Sequence, residues 1–414
     1  MTFNHDVTTD VCIVGAGPAG LMAAIHAAKA RADTTLVETH ANAGRKLLVT
    51  GGGRCNFTHA ATVDELVRAF GQGGRFLRHG FHELSPDGIR TFFDSRGLPS
   101  RVEPDGCVFP ETDRAADVRD ILLREAERLG VRLLYHNRVT EIATENDGFT
   151  IRTAQRTLSS RRLIIATGGV SWPQTGSTGD GYRYAAALGH TVVPPRASLV
   201  PLVTRENWPG TLAGVSLGNV KAWIAARGRK VSANGALVFT QDGIGGPAAL
   251  DLSRALAGPM AGGIDIRIDL APDLEEAELD RQIREQLASH PKKAVVSIVA
   301  GFVPKRLAST LGALARCDSD LQASQLQKEM RKRLVGIFKA LPLCVTDTRP
   351  LAEATVTRGG VSREQIEPRT MESKVRPGLF FAGEVIDVDG PCGGYSLQAC
   401  WSTGALAGRS AARS

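Results

Sequence analysis

Cysteine is sparse in this 414-residue chain: there are seven, an odd number, widely scattered and with no CxxC pair. That excludes a disulfide framework and a zinc ribbon. No other grouping of His, Cys and carboxylates has metal-ligand spacing, so no metal site is expected. Long apolar runs are missing too, and none approaches the roughly 18 residues that would span a bilayer. The opening stretch, Met1 to Asp10, is polar and acidic, without a basic segment leading into an apolar one. No secretory signal is expected, and the scattered thiols then point to a reduced, cytoplasmic protein with no membrane partner. Internal repeats and low-complexity segments are absent. Hydrophobic residues at 43% and charged ones at 22% exclude a mostly disordered chain, and the length asks for two or three domains.

Glycine, by contrast, is plentiful, with 45 residues in clusters. Such clustering suggests backbone lying close against a ligand. The first cluster sits in a complete nucleotide-binding unit. Asp10-Val-Cys-Ile-Val14 reads as a buried parallel strand and runs into Gly15-Ala-Gly17-Pro18-Ala19-Gly20, a GxGxxG. Helix formers follow from Leu21 to Ala30, then a second strand from Thr34 to Val37, then Glu38. Gly15 permits the tight turn, Gly17 lets backbone approach a pyrophosphate, and Gly20 lets helix and strand pack closely. The helix start, with Pro18 and Ala19, offers free N–H groups and a positive dipole end to phosphate. Glu38, 23 positions after Gly15, can accept both hydroxyls of an adenosine ribose, and would repel a 2′-phosphate. By itself this unit does not separate FAD from NAD.

The other end of the chain does. Leu379-Phe-Phe-Ala-Gly383-Glu384 reads as a buried strand ending in glycine and an acid. Asp387, Asp389, Gly393 and Gly394 follow, then a helix from Tyr395 to Ala412. In two-dinucleotide-binding flavoproteins such an acid bonds the ribityl chain, and the next helix aims its N-terminus at the flavin. Glu384 is that acid here, with Gly393, Gly394, Tyr395 and Ser396 at the helix start and Asp389 capping it or orienting the ribityl chain. Arg162-Leu-Ile-Ile-Ala-Thr167-Gly168-Gly169 is a third strand running into a glycine turn, suited to the pyrophosphate side. Residues 131–142 read as a strand pair, where Val139 offers backbone to the adenine edge. FAD is therefore the expected cofactor. No second GxGxxG unit is present for a nicotinamide, so NAD(P)H is expected only as a transiently docked electron donor.

Four blocks together resemble the BaiN/YhiN-like family of NAD(P)/FAD-dependent oxidoreductases. They are Gly44-Arg45-Lys46-Leu-Leu-Val-Thr-Gly-Gly52-Gly53-Arg54-Cys55-Asn56, Gly106-Cys-Val-Phe-Pro110, the stretch from Ala166 to Gly181, and that from Gly383 to Gly404. The resemblance spans nearly the whole chain and is thinnest from about 270 to 345. It implies an α/β fold: a Rossmann-like FAD-binding domain, discontinuous in sequence, with an inserted β-rich domain and a helical subdomain. The expected boundaries are 1–194 with 350–414 for the FAD domain, 195–272 with 341–349 for the insert, and 273–340 for the helices. It also implies cofactor contacts from Arg45, Lys46, Gly52, Gly53, Arg54, Cys55 and Asn56. The chain departs from the family pattern at Thr58-His59, at Thr240-Gln241, at Gly243-Ile-Gly-Gly-Pro247, and at Ser396 after Gly-Gly-Tyr.

The resemblance implies reduction of electron-poor C=C bonds, with one branch acting on conjugated steroid enones and another on the uracil ring of ribosomal RNA. Hydride from flavin N5 then needs a proton donor near the flavin. Cys55 beside Arg54 is one candidate, although small cysteines are commonly packing groups. His59 and Tyr395 are the others, each with an alternative structural reading. The net charge of +7 is matched within residues 292–339, where ten basic residues face Asp318, Asp320 and Glu329. Lys328, Arg331, Lys332 and Arg333 suggest a cationic ridge for RNA phosphates, or else a solvated helix face. Substrates left open are a small enone and an rRNA uracil. The alternative function is a flavin-bearing RNA-binding or assembly factor without turnover.

Overall fold

The computed structural model describes residues 4–145, 147–225, 231–256, 260 and 262–413. The chain divides into two compact units, Met1–Ala197 with Ala354–Ser414, and Ser198–Glu353. Among the described residues no helix is long and apolar enough to cross a membrane.

The first unit is built on a seven-stranded sheet. Strand Asn4–Val14 lies between Thr34–Val37 and Arg156–Ile165, parallel to both. Val11 to Val14 are buried without alternation, as a parallel strand covered on both faces requires. Register then does the positioning. Val14 pairs with Val37 on one side and Ile165 on the other, and Ile165 pairs with Phe381 of strand Leu379–Phe381. Four strands therefore end level, and the residues that leave them, Gly15, Glu38, Ala166 and Ala382, emerge side by side at one sheet edge. Ligands in open parallel sheets bind at that edge.

Helix Pro18–Lys29 follows the first glycine turn, and helix Tyr395–Ala411 closes the unit. The two cross at backbone contact. A Cβ on Gly404 would lie 2.4 Å from the Ala19 carbonyl oxygen, and one on Gly408 only 2.1 Å from that of Ala23. Small residues at this crossing bring both helix starts to the same edge. Of the strands expected at 131–142, Arg132–Leu134 pairs with Thr34–Val37, whereas Val139–Glu145 pairs with Gly148–Thr153.

His26 sits partly buried on the first helix. Burial, then the cations Lys29, Arg409 and Arg96, push its pKa down from 6.5 to about 4. The folded state thus favours the neutral ring, and the unfolded chain binds a proton at higher pH. Its contribution is complete above about pH 6.5 and is lost as pH falls towards about 4, at most about 3 kcal/mol. Urea unfolding from pH 7 to 4 should show this loss, and His26→Gln should flatten it.

The second unit is a closed six-stranded barrel. Its strands run Leu202–Thr204, Gly243–Gly245, Ser232–Phe239, Ser216–Ile224, Ile264–Asp269, Leu341–Thr348. Val220, Ala222 and Ile224 face inward from the longest strand. Helices Glu276–Ser289, Lys305–Leu314 and Lys328–Lys339 lie between the last two barrel strands in sequence. Their apolar faces, with Leu279, Ile283, Leu307, Leu311, Leu334 and Phe338, join the barrel residues in one hydrophobic cluster. The stretch read as a separate helical subdomain, 273–340, thus shares its core with the barrel. The chain passes between units at 197/198 and 353/354, a few residues beyond the expected 194/195 and 349/350. Strand Val192–Ser198 pairs with Val356–Val361, which carries residues on both sides of the crossing into the first unit.

Candidate active site

At the sheet edge, within the first unit, a cavity encloses about 1130 Å³ with its open mouth included. One end is the glycine turn: Gly15, Gly17, Pro18 and Ala19 line it together with Glu38 and His40. Glu38 is already oriented, one oxygen accepting from the Ala16 N–H at 3.0 Å and the other from the His40 N–H at 2.9 Å. The start of helix Pro18–Lys29 has no side-chain cap, so its orphan N–H groups face whatever fills the cavity. The middle is lined by Arg45, Lys46, Thr167, Gly168, Gly383 and Glu384. The far end is Phe70, Val388, Gly390, Ser396 and Leu397, at the likewise uncapped start of helix Tyr395–Ala411.

Two observations fit FAD to this space. Thr167 Oγ1 and Ser396 Oγ are buried without a hydrogen-bond partner among the described residues, and both residues line the cavity. The Thr35, Ser160 and Tyr182 hydroxyls are orphaned too, but only Thr167 and Ser396 face the cavity, where a ligand's polar groups would relieve the cost. The lining also carries two carboxylates, Glu38 and Glu384, against two cations, Arg45 and Lys46. A pyrophosphate at the glycine turn would therefore rely on the start of helix Pro18–Lys29 for part of its charge compensation.

Other expected contacts lie behind the wall. Gly20 packs on Gly15, where a Cβ would come 1.9 Å from the Gly15 carbonyl oxygen. Gly52 and Gly53 turn with positive φ outside the lining, while Thr50 of the same loop lies in it. The Arg54 guanidinium stacks 3.9 Å over Phe109 and pairs with Glu103 at 2.9 Å. Asn56 accepts the Val108 N–H, and the Val139 carbonyl accepts the Tyr184 hydroxyl at 2.5 Å. Asp389 pairs with Arg358.

None of the three proton-donor candidates is in the lining itself. Cys55 is fully buried at φ 64°, and burial pushes its thiol up to about 12. Losing a proton there would leave an anion in an apolar core. His59 and Tyr395 stack on each other, centroids 4.6 Å apart and 24° from parallel. Tyr395 precedes Ser396 and meets the Phe70 ring edge-on at 6.3 Å, so this pair backs the far wall.

The sequence reading missed His40, Asn42, Thr50, Phe70 and Cys400, all in the lining. His40 and Asn42 follow Glu38 directly and were within reach of the strand-end argument. Phe70 carries no local signal. Cys400 lies one helical turn beyond Ser396, and desolvation pushes its half-buried thiol up to about 12.

A level edge of parallel strands, a glycine turn at one helix start and an acid before a second helix start define a Rossmann-type flavoprotein. The chain belongs to the family described as HI0933-like protein Rossmann domain, whose model matches residues 9–410. It is 32% identical over 404 residues to a 3-dehydro-bile acid delta(4,6)-reductase from Clostridium scindens, covering 97% of this chain and 98% of that protein. It is also 32% identical over 397 residues to a ribosomal RNA dihydrouridine synthase from Escherichia coli, covering 95% and 96%. Among solved structures, a flavocytochrome c3 fumarate reductase in its open conformation shares the fold, with TM-score 0.53 and 18% identity over 98% of this chain and 78% of that one. The protein is an FAD-dependent oxidoreductase.

Proposed function

We propose that the enzyme reduces a carbon–carbon double bond conjugated to a carbonyl in a small enone, with electrons from transiently docked NADH or NADPH. Bound FAD supplies the hydride equivalent for the β-carbon. The chain holds the cofactor at Glu38, Glu384, Lys46 and the two helix starts, and the α-carbon proton comes from His59, which stands behind the far wall beside Tyr395 and so passes it through a bridging water. The observation that carries this reading is a cavity whose two unsatisfied hydroxyls and two helix starts match one elongated cofactor, in a chain alignable end to end with a relative named for reducing such bonds.

Uracil in RNA offers the same conjugated bond, and the second relative's name makes it the competing substrate. The surface supports it less. Arg331 of the expected ridge is only 13% exposed and paired with Asp280, Arg333 donates to the Ala315 carbonyl, and Lys339 is held by Asp269 at 2.6 Å. Lys328, Lys332 and Arg333 remain exposed on that helix.

The test is to photoreduce the holoenzyme anaerobically and mix it with a Δ4-3-ketosteroid, or with uridine-bearing rRNA, while following the visible flavin band. Reoxidation with two hydrogens added to the steroid supports the proposal, and reoxidation by RNA alone transfers it to uracil. RNA binding with no reoxidation by either would leave the non-catalytic factor. Anaerobic bleaching by NADH or NADPH identifies the donor, and bleaching by neither removes that part.

A further inference from the structure

Glu384 is held by residues far from it in sequence. Its Oε1 accepts from the Ser171 hydroxyl at 2.9 Å and from the Thr357 N–H at 2.8 Å, and its Oε2 accepts from Lys46 Nζ at 2.7 Å. Lys46 Nζ also donates to Ser171 Oγ at 2.7 Å. Behind them, Thr357 Oγ1 accepts the N–H groups of Val170 and Ser171 at 3.0 and 3.1 Å. Thr357 and Ser171 are both fully buried. Residue 169 must be glycine for this to close, because a Cβ there would lie 2.4 Å from Thr357 Oγ1 and 3.1 Å from Glu384 Oε1.

A carboxylate offers about four acceptor sites and an ammonium three donors. Three of the carboxylate sites are taken, leaving one on Oε2, and two of the Lys46 donors are taken, leaving one. Glu384 and Lys46 line the cavity, whereas Ser171 and Thr357 do not.

We infer that Thr357 and Ser171 are positioning residues that fix Glu384 and Lys46 into a subsite of one acceptor beside one donor, matched to a ribityl hydroxyl next to a phosphate oxygen of FAD. Thr357 does this twice over, through its N–H on the carboxylate and through its hydroxyl on the 170–171 backbone that aims Ser171. A carboxylate oriented before the ligand arrives spares the ligand the cost of ordering it. The inference rests on FAD occupying this cavity.

The experiment titrates apoprotein with FAD, by quenching of flavin fluorescence, and melts each apoprotein. Thr357→Val keeps the shape but strands two buried N–H groups. It should weaken FAD binding by about 10- to 100-fold. Thr357→Ser, which restores the acceptor, should return within about threefold. Ser171→Ala, with less to disturb in the fold, should weaken binding by about three- to tenfold at a nearly unchanged melting temperature. FAD affinity unchanged in folded Ser171→Ala and Thr357→Val overturns the inference. So does Thr357→Ser binding as poorly as Thr357→Val, since the hydroxyl then has no part. If the wild-type apoprotein binds no FAD, the cofactor assignment itself fails, which is a separate outcome.

Discussion

Gly17→Val yields a folded apoprotein that has lost FAD. Gly17 sits at φ −80° and ψ −175°, ordinary extended backbone that valine adopts without strain, and a Cβ there meets nothing within 4 Å. The open space is the cavity, beside the orphan N–H groups of helix Pro18–Lys29. Methyl groups placed there occupy the approach a pyrophosphate needs, so affinity should fall by about 100-fold or more, roughly 2.7 kcal/mol. Loss of glycine from the N-cap costs the fold about 1 kcal/mol at most, a shift of a few degrees in Tm. Gly20→Ala makes the contrast, because its Cβ would sit 1.9 Å from the Gly15 carbonyl oxygen. That variant should fail to fold rather than fold empty. Fluorescence titration and thermal unfolding of both apoproteins check the pair, and a Gly17→Val protein that binds FAD like wild type would move the cofactor elsewhere.

The difference between these two glycines shows what the chain makes legible. Both belong to one contiguous motif, and the roles expected of them, close approach at Gly17 and close packing at Gly20, follow from spacing alone. The same holds for Glu38 and for the segment around Glu384, where strand, turn, acid and helix are consecutive. Legibility ends where function depends on convergence. The partners of Glu384 lie 338, 213 and 27 positions away, and no local pattern announces Thr357 or Ser171. Arg54 shows the reverse. The family resemblance implies a cofactor contact for it, yet Phe109 and Glu103, about fifty residues on, fold back and hold the guanidinium. Helical periodicity is readable at 274–290 and 321–340, but not the helix Lys305–Leu314 nor that these apolar faces are shared with the barrel, since period reports an apolar face and not its partner.

His59→Phe should slow reoxidation of the reduced enzyme by an enone by about 10²- to 10³-fold while leaving FAD bound. His59 Nδ1 lies 3.0 Å from the Gly393 carbonyl oxygen, which can only accept, so Nδ1 carries a hydrogen in either charge state. Nε2 is then the ring nitrogen left to exchange hydrogen bonds with a donor or acceptor outside the stack. The ring is locked there by its stack on Tyr395 and by Gly106, where a Cβ would lie 2.5 Å from Nε2. Phenylalanine keeps the stack and removes the proton. Cys55→Ala should keep the rate within about threefold, since full burial holds its thiol up at about 12. Tyr395→Phe separates the two stacked rings, because it too preserves the packing. Stopped-flow traces of the flavin band decide between them: a rate lost only in Tyr395→Phe moves the donor to the phenol. A rate kept in both assigns the α-proton to water, and the stacked pair then serves only to hold the start of the C-terminal helix against the wall of the cavity.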